Sequence, residues 1–131
     1  MYAGLDAWMP VEGEVIDGLG LRHAGAASLT DSSAPVLDWI ASERIAHLAI
    51  HFDVDVLNPT KFGPVLFNEP DAATDALAGV PRGRMAPDPV VRLLQDVAAA
   101  CDVVGLAIAE YMPWEAITTR NMLRKLPLLS D

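Results

Sequence analysis

The sequence predicts an α/β fold, a three-layer αβα arrangement around a mainly parallel sheet. Two apolar runs of strand length, residues 45–52 and 103–109, each follow a segment whose apolar residues have helical spacing. Strands that alternate with helices in this way form parallel sheets with right-handed crossovers. The chain has 131 residues and no internal repeat, so a single domain is expected.

The N-terminal part of the chain carries weaker signals. Residues 1–6 form a short apolar run that favours a strand, and the glycines of residues 15–25 indicate a loop, a brief strand and a second loop. From Ser33 to Arg44 the signals are helical, with a capping serine, an early proline at Pro35 and apolar residues on one side. The first helix is therefore expected there.

Residues 45–52 resemble a strand that is buried on both faces of a parallel sheet. Residues 58–89 are rich in proline and glycine, which predicts an extended functional loop rather than long regular elements. This strand and loop flank a short acidic segment.

Helical signals return at Asp88 and Pro89, which predict an N-cap and a first helical position for a helix that continues to Cys101. The second apolar strand, residues 103–109, comes next. An amphipathic helix over residues 115–126 completes the predicted elements, which thus alternate to the end of the chain.

Composition excludes some classes of partner. The net charge of -9 opposes binding to nucleic acid, because a phosphate backbone would be repelled. No apolar stretch approaches the roughly 18 residues that span a bilayer, and the N-terminus lacks a signal sequence, so a soluble cytoplasmic protein is expected. Apolar residues make up 52% of the chain, slightly more than usual, which suggests that some surfaces are covered by a partner.

Two aspartates, Asp53 and Asp55, stand at the end of the first apolar strand. Residues two apart on a strand share a face, with Cα atoms roughly 6.5 Å apart, so both carboxylates can converge on the sheet edge where α/β folds bind ligands. Two ionised carboxylates this close favour a compensating divalent cation, with Mg²⁺ or Mn²⁺ preferred by oxygen ligands. The alternative is that the aspartates only cap the turn after the strand.

Two further residues are expected near this pair. Glu110 follows the second apolar strand and faces the same crevice if the strands are neighbours, where it could accept hydrogen bonds from a guanidinium. His51 lies two residues before Asp53, on the same side of the strand, and could orient a metal ligand by a hydrogen bond. An ordinary solvated glutamate and a histidine hydrogen-bonded in the interior are the alternatives.

Four segments carry a resemblance to a known family. Residues 53–59, Asp-Val-Asp-Val-Leu-Asn-Pro, resemble the second metal motif of the arginase, agmatinase and formimidoylglutamase family, Asp-x-Asp-x-x-Asp-Pro. Residues 2–6 look like its glycine-leucine strand, residues 18–20 like the short strand that follows, and residues 110–113 like its Glu-x-Asn-Pro element. The resemblance implies that residues 1–131 are the C-terminal part of a ureohydrolase domain with a partial arginase-like fold.

The resemblance also implies roles for these residues. Asp53 would bridge two Mn²⁺ ions, Asp55 would bind one of them, and Glu110 would orient the guanidino substrate while an activated water attacks and urea is released. Asn58 stands where the family has a third aspartate, and the family's other two metal motifs do not occur. The chain alone is therefore expected to bind Mn²⁺ weakly, to turn over little substrate, and to self-associate or pair with an N-terminal half.

Two other functions remain open. The same residues resemble the first motif of haloacid-dehalogenase-type phosphatases, in which Asp53 would be the nucleophile and Asp55 the general acid. That family also needs a later lysine and a paired acidic motif, and the second strand offers only Glu110. The non-enzymatic alternative is a catalytically inactive fragment or subunit that serves assembly.

Overall fold

The computed structural model of the protein describes residues 1–71 and 77–130. Its strands are β1 (Tyr2–Ala3), β2 (His23–Ala24), β3 (His47–Asp53) and β4 (Asp102–Ala109). Its helices are α1 (Pro10–Gly18), α2 (Ala26–Leu29), α3 (Ala34–Ser42), α4 (Pro87–Ala100) and α5 (Ala116–Leu123). Short 3₁₀ turns cover Val54–Val56, Leu66–Asn68 and Pro113–Glu115. Helices and strands alternate, as the sequence predicts for an α/β fold.

All strand pairs in the described ranges are parallel. β1 pairs with β2, and β3 pairs with β4 in a separate two-stranded sheet. The second sheet runs in register from His47 opposite Asp102 to Asp53 opposite Ala109, with one irregularity after Leu48. Both predicted apolar strands are therefore confirmed as direct neighbours, and their carboxyl ends lie side by side.

The core lies on one face of β3. Phe52 is 5% exposed and belongs to one cluster with Val36 and Ile40 of α3 and with Val90 and Leu94 of α4. Burial of these apolar side chains holds the two helices together, at about 25 cal/mol for each Å² removed from water.

The opposite face of β3 differs from the prediction. Residues along the strand alternate in exposure, so that His47, Ala49, His51 and Asp53 are all exposed. The expectation that this strand is buried on both faces is wrong for the described chain, because the helices that pack against the sheet cover only the side of Phe52.

The N-terminal region contains helices that the sequence reading missed. Residues 15–25 were expected to be loop and strand, yet α1 occupies Pro10–Gly18 before the brief strand β2. Two signals explain α1: Pro10 takes the first helical position, and Glu12 Oε2 accepts a 2.6 Å hydrogen bond from the Met9 backbone N–H. Two glycines within the helix, Gly13 and Gly18, obscured the pattern.

Two predicted helix caps are also corrected. Ser33 is at the N-cap of α3, but its hydroxyl donates a 2.6 Å hydrogen bond to Asp96 Oδ2 of α4 and makes no capping bond. Helix α4 begins at Pro87 with Ala86 as its N-cap, two residues before the predicted cap at Asp88, because Pro87 already supplies a suitable first position. Asp88 lies in the first turn, where its charge still favours the helix N-terminus.

The predicted functional loop, residues 58–89, is shorter than expected because α4 begins at Pro87. Its described parts contain the 3₁₀ turn Leu66–Asn68, an isolated parallel bridge from Met85 to Leu57, and otherwise turns and irregular backbone, while residues 72–76 lie outside the described residues. No helix in the described ranges combines the length and the apolar character needed to cross a membrane.

Candidate metal centre

Asp53 and Asp55 lie on either side of the point where β3 ends. Asp53 is the last residue of the strand, and the 3₁₀ turn Val54–Val56 begins immediately after it. One oxygen of Asp53, Oδ1, accepts a 2.9 Å hydrogen bond from the backbone N–H of Asp55. The alternative considered from the sequence, that the aspartates cap the turn after the strand, is therefore present for Asp53. This capping bond occupies one of its two carboxylate oxygens.

Asp55 is the most unusual ionisable group of the site. Its Oδ1 atom is buried and has no hydrogen-bond partner among the described residues. Burial raises the pKa of Asp55 from 3.8 to about 6, with further contributions from the negative charges of Asp53 and Glu110 and an opposing effect from the backbone of Leu66. A carboxylate oxygen that has no hydrogen-bond partner and is repelled by neighbouring negative charges is suited to binding a cation.

Glu110 reaches the same place from the neighbouring strand. It follows Ala109, which pairs with Asp53 in the sheet, and its charge acts on Asp55. Its backbone has a φ of 57°, in the left-handed region that non-glycine residues seldom adopt. The backbone turn at this position therefore keeps an acidic side chain beside the two aspartates at some conformational cost.

His51 lies on the exposed face of β3 that also carries Asp53, opposite Ala107 of β4. Its side of the strand agrees with the period-two prediction. Its ring has no hydrogen bond within the described part of the chain, so the proposed orienting role stays a prediction. The other histidine of this strand, His47, instead contacts Asp102 at 3.0 Å near the opposite end of the sheet.

The turn after Asp55 is held in place by the loop that precedes α4, a contact that the sequence did not predict. Asn58 N–H donates to the Met85 carbonyl at 2.8 Å, and Met85 N–H donates to the Val56 carbonyl at 3.1 Å. A Cβ atom at Gly83 would overlap the backbone of Asp55 and Val56, so only glycine allows this close approach. The glycines of this loop were the available signal.

Asn58 stands where the resembled family has an aspartate, and its role here is local. Its Oδ1 accepts hydrogen bonds from the Thr60 backbone N–H at 2.9 Å and from the Thr60 hydroxyl at 2.8 Å. An asparagine oxygen makes these bonds as an aspartate oxygen would. The substitution therefore preserves the turn and removes one negative charge beside the acidic site.

The three carboxylates do not form a complete metal site. No group of three or more histidine, cysteine, aspartate or glutamate side chains in the described ranges has the geometry to hold a metal ion. The unpartnered Asp55 oxygen and the all-oxygen donor set fit a hard divalent ion such as Mg²⁺ or Mn²⁺ in part. The remaining ligands would be water molecules or groups from outside the described residues.

The aspartates also line a groove of about 700 Å³. Residues 1–7 form one wall and residues 48–53 form another, while apolar side chains of α3 and α4, most of them buried, line its floor. A second cavity, of about 440 Å³, lies under residues 59–63 beside Trp114 and Glu115 and contains none of the predicted site residues.

Comparison with known proteins identifies similar folds. No family model matches the sequence, and no curated protein matches it significantly. Among solved structures, an arginase from Helicobacter pylori has a TM-score of 0.71 at 16% identity. An arginase from Entamoeba histolytica, in complex with L-ornithine, has a TM-score of 0.69 at 20% identity. The match covers 95% of this chain and 40% of each arginase.

A third neighbour is described as a hypothetical agmatinase from Burkholderia thailandensis, with a TM-score of 0.56 at 18% identity. That match covers 85% of this chain and 30% of the neighbour. The chain thus spans two-fifths or less of the length of these proteins. Its fold is part of the arginase-like αβα fold, which confirms the predicted fold class and, at the level of fold, the resemblance.

Proposed function

We propose that this chain provides part of the active site of a manganese-dependent ureohydrolase that acts on a small guanidino compound. The observation that carries the proposal is the buried, unpartnered Oδ1 atom of Asp55, placed near two other carboxylates at the carboxyl ends of β3 and β4. Apolar burial of a charged oxygen is costly without a counter-ion. The arginase-like fold supports manganese as that counter-ion.

The proposed roles follow from position. Asp53 retains one oxygen that is free of the capping bond, and Asp55 has its bare Oδ1, so both could act as metal ligands. Glu110 would accept hydrogen bonds from the guanidinium, whose planar fork suits a carboxylate. His51 would orient a ligand from the same face of β3.

Manganese, when bound, would supply Lewis acidity that lowers the pKa of a water for attack on the guanidino carbon. The residues of this chain would hold the cation and fix the substrate beside it. Glu110 is proposed for the second task because it follows Ala109, the β4 residue paired with Asp53, and its backbone has a φ of 57°.

The chain is proposed to be the C-terminal part of a ureohydrolase domain, with the missing metal ligands supplied by an N-terminal half or by a further copy. Alone it would bind Mn²⁺ weakly and release little urea. The acidic charge of -9 argues against a nucleic-acid partner, and a cytoplasmic location without membrane association is proposed on the sequence argument.

Calorimetric titration tests the metal role. Mn²⁺ should bind the wild-type chain weakly but saturably, and Asp53→Asn should abolish the heat of binding. Asp38→Asn is the matched control, because Asp38 is an exposed aspartate of α3 and its loss removes the same charge. Equal titration curves for all three proteins would refute the proposal.

A non-catalytic role in assembly is the second possibility. It is favoured by the lack, within residues 1–71 and 77–130, of any group of three metal-binding side chains. In that case Mn²⁺ would not bind even when a partner completes the fold. The phosphatase alternative receives no support from the structural neighbours described above, which are two arginases and a hypothetical agmatinase.

A further inference from the structure

The second cavity, of about 440 Å³, lies apart from the aspartate groove. Its walls are the loop of residues 59–63, two residues of the segment that follows, Asn68 and Pro70, and two residues before α5, Trp114 and Glu115. The volume falls within the roughly 300–1,000 Å³ of small-molecule pockets. The cavity shares no lining residue with the groove, so a ligand bound here is independent of the proposed metal site.

The loop that forms the cavity is fixed by hydrogen bonds and by burial. The side-chain amide of Asn68 donates to three backbone carbonyls of the loop, those of Pro59, Phe62 and Gly63, at 2.8, 3.3 and 3.2 Å. The side chain of Phe62 is 2% exposed and belongs to the core cluster. The cavity is therefore formed before any ligand enters, which lowers the entropic cost of binding.

Two side chains of the opposite wall meet this loop at Gly63. The indole N–H of Trp114 donates a 3.3 Å hydrogen bond to the Gly63 carbonyl. The carboxylate of Glu115 occupies the space that a Cβ atom at residue 63 would take. The glycine thus lets an acidic group lie directly against the loop, at the wall of the cavity.

Lys61 brings the opposite charge to the same cavity. Lys61 and Glu115 both line it and both are exposed, yet no ion pair joins them, and neither makes an ion pair elsewhere in the described part of the chain. The lysine ammonium is carried on a flexible four-carbon stem, so it can adjust to a bound group. An ammonium and a carboxylate separated by a cavity suit a molecule that carries both charges itself.

We infer that this cavity binds a small free amino acid in its zwitterionic form. The carboxylate of the ligand pairs with Lys61, its ammonium group pairs with Glu115, and an apolar side chain packs against Trp114 and Pro59. A phosphorylated ligand fits less well, because Lys61 is the only basic residue among the described residues of the wall. A divalent cation fits less well too, because it needs more oxygen ligands than one carboxylate supplies.

Three probes that differ only in charge test this inference: L-valine, L-valinamide, which lacks the carboxylate, and N-acetyl-L-valine, which lacks the ammonium group. Each is titrated into the ¹⁵N-labelled full chain at about pH 6.5 and followed by NMR. L-Valine should shift the amide signal of Gly63 and the indole N–H signal of Trp114, with a Kd on the order of 1–10 mM. Each derivative should bind about fivefold more weakly, since it loses one solvent-accessible ion pair.

Variants assign each charge to its partner. Lys61→Met should weaken L-valine about fivefold without weakening L-valinamide, and Glu115→Gln should weaken L-valine without weakening N-acetyl-L-valine. Gly63→Ala keeps both charges but displaces the Glu115 carboxylate, so it should weaken L-valine as much as Glu115→Gln does. The controls Lys125→Met and Glu14→Gln remove exposed charges outside the cavity and should leave L-valine binding unchanged.

Three results would overturn the inference. The first is the absence of any shift of the Gly63 and Trp114 signals at tens of millimolar L-valine. The second is equal affinity for all three probes, which would mean that only the apolar side chain is bound. The third is that Lys61→Met weakens L-valine and L-valinamide alike, which would place the ligand carboxylate elsewhere. If Gly63→Ala does not fold, the Lys61 and Glu115 variants still decide.

Discussion

Replacing Asp55 by asparagine should make the metal-free protein more stable at neutral pH. The pKa of Asp55 is raised from 3.8 to about 6 by burial and by two neighbouring carboxylates. A shift of this size corresponds to roughly 3 kcal/mol, since each pKa unit is worth about 1.4 kcal/mol. The residue is only partly buried, so solvent screening reduces the expected gain to about 1–1.5 kcal/mol.

The gain should depend on pH in one direction. The folded state holds the Asp55 proton more tightly than the unfolded state, so the wild-type protein loses stability as pH rises from about 4 to about 6. Above that window the full penalty is present, and below it the penalty disappears. Asp55→Asn should therefore be more stable than wild type at pH 7.5 and equal to it near pH 4.

Urea unfolding in the presence of a chelator measures the free energy of unfolding of each protein at pH 7.5 and at pH 4. Asp38→Asn, which removes a charge from an exposed helical position, should change the free energy of unfolding by less than about 0.5 kcal/mol at either pH. A loss of stability in Asp55→Asn at pH 7.5, or a gain that persists unchanged at pH 4, would show that Asp55 is not a repelled carboxylate.

Three further predictions concern the supports of the site and the core. Gly83→Ala should lower the free energy of unfolding by about 1–3 kcal/mol, because its Cβ would overlap the backbone of Asp55 and Val56. The control Gly18→Ala, whose Cβ meets nothing within 4 Å, should not lower it. Equal urea midpoints for the two variants would argue against this close approach of Gly83 to the turn. Ser33→Ala should cost about 1–2 kcal/mol through loss of its partly buried hydrogen bond to Asp96, with the exposed Ser42→Ala as control, and an unchanged unfolding curve would contradict this. Glu110→Gln should lower the pKa of Asp55 in an NMR titration, since one repelling charge is removed; no movement would place Glu110 outside the site.

The sequence predicted the second half of the fold better than the first. Two apolar runs and their alternating helices were sufficient to place β3, β4 and α4, because runs of strand length that alternate with helical patterns favour a parallel sheet. Helix α1 was missed because its glycines hid the pattern, although Pro10 and Glu12 mark its start. Helix α2, Ala26–Leu29, has only four residues, too few for a periodic signal.

For the site, spacing predicted Asp53 and Asp55 on one face at the strand end, but Asp55 lies in the 3₁₀ turn Val54–Val56, so the period-two argument does not apply to it. Strand pairing puts Glu110 next to Ala109, the partner of Asp53. The exposed face of β3 could not be predicted from the sequence. An apolar strand is suited to burial on both faces, but its sequence does not show whether other elements of the same chain cover both. The approach of Gly83 to Asp55 was also beyond sequence reasoning, since residues 28 positions apart are joined here only by tertiary structure.

Paramagnetic broadening by Mn²⁺ tests most directly whether these carboxylates form a cation site. When Mn²⁺ is added to ¹⁵N-labelled protein, the amide signals of Asp53, Asp55 and Glu110 should broaden first and together, ahead of signals from other acidic residues such as Asp38 and Asp102. Broadening that begins at exposed acidic residues elsewhere, and leaves these three signals sharp, would contradict a shared metal site at the ends of β3 and β4.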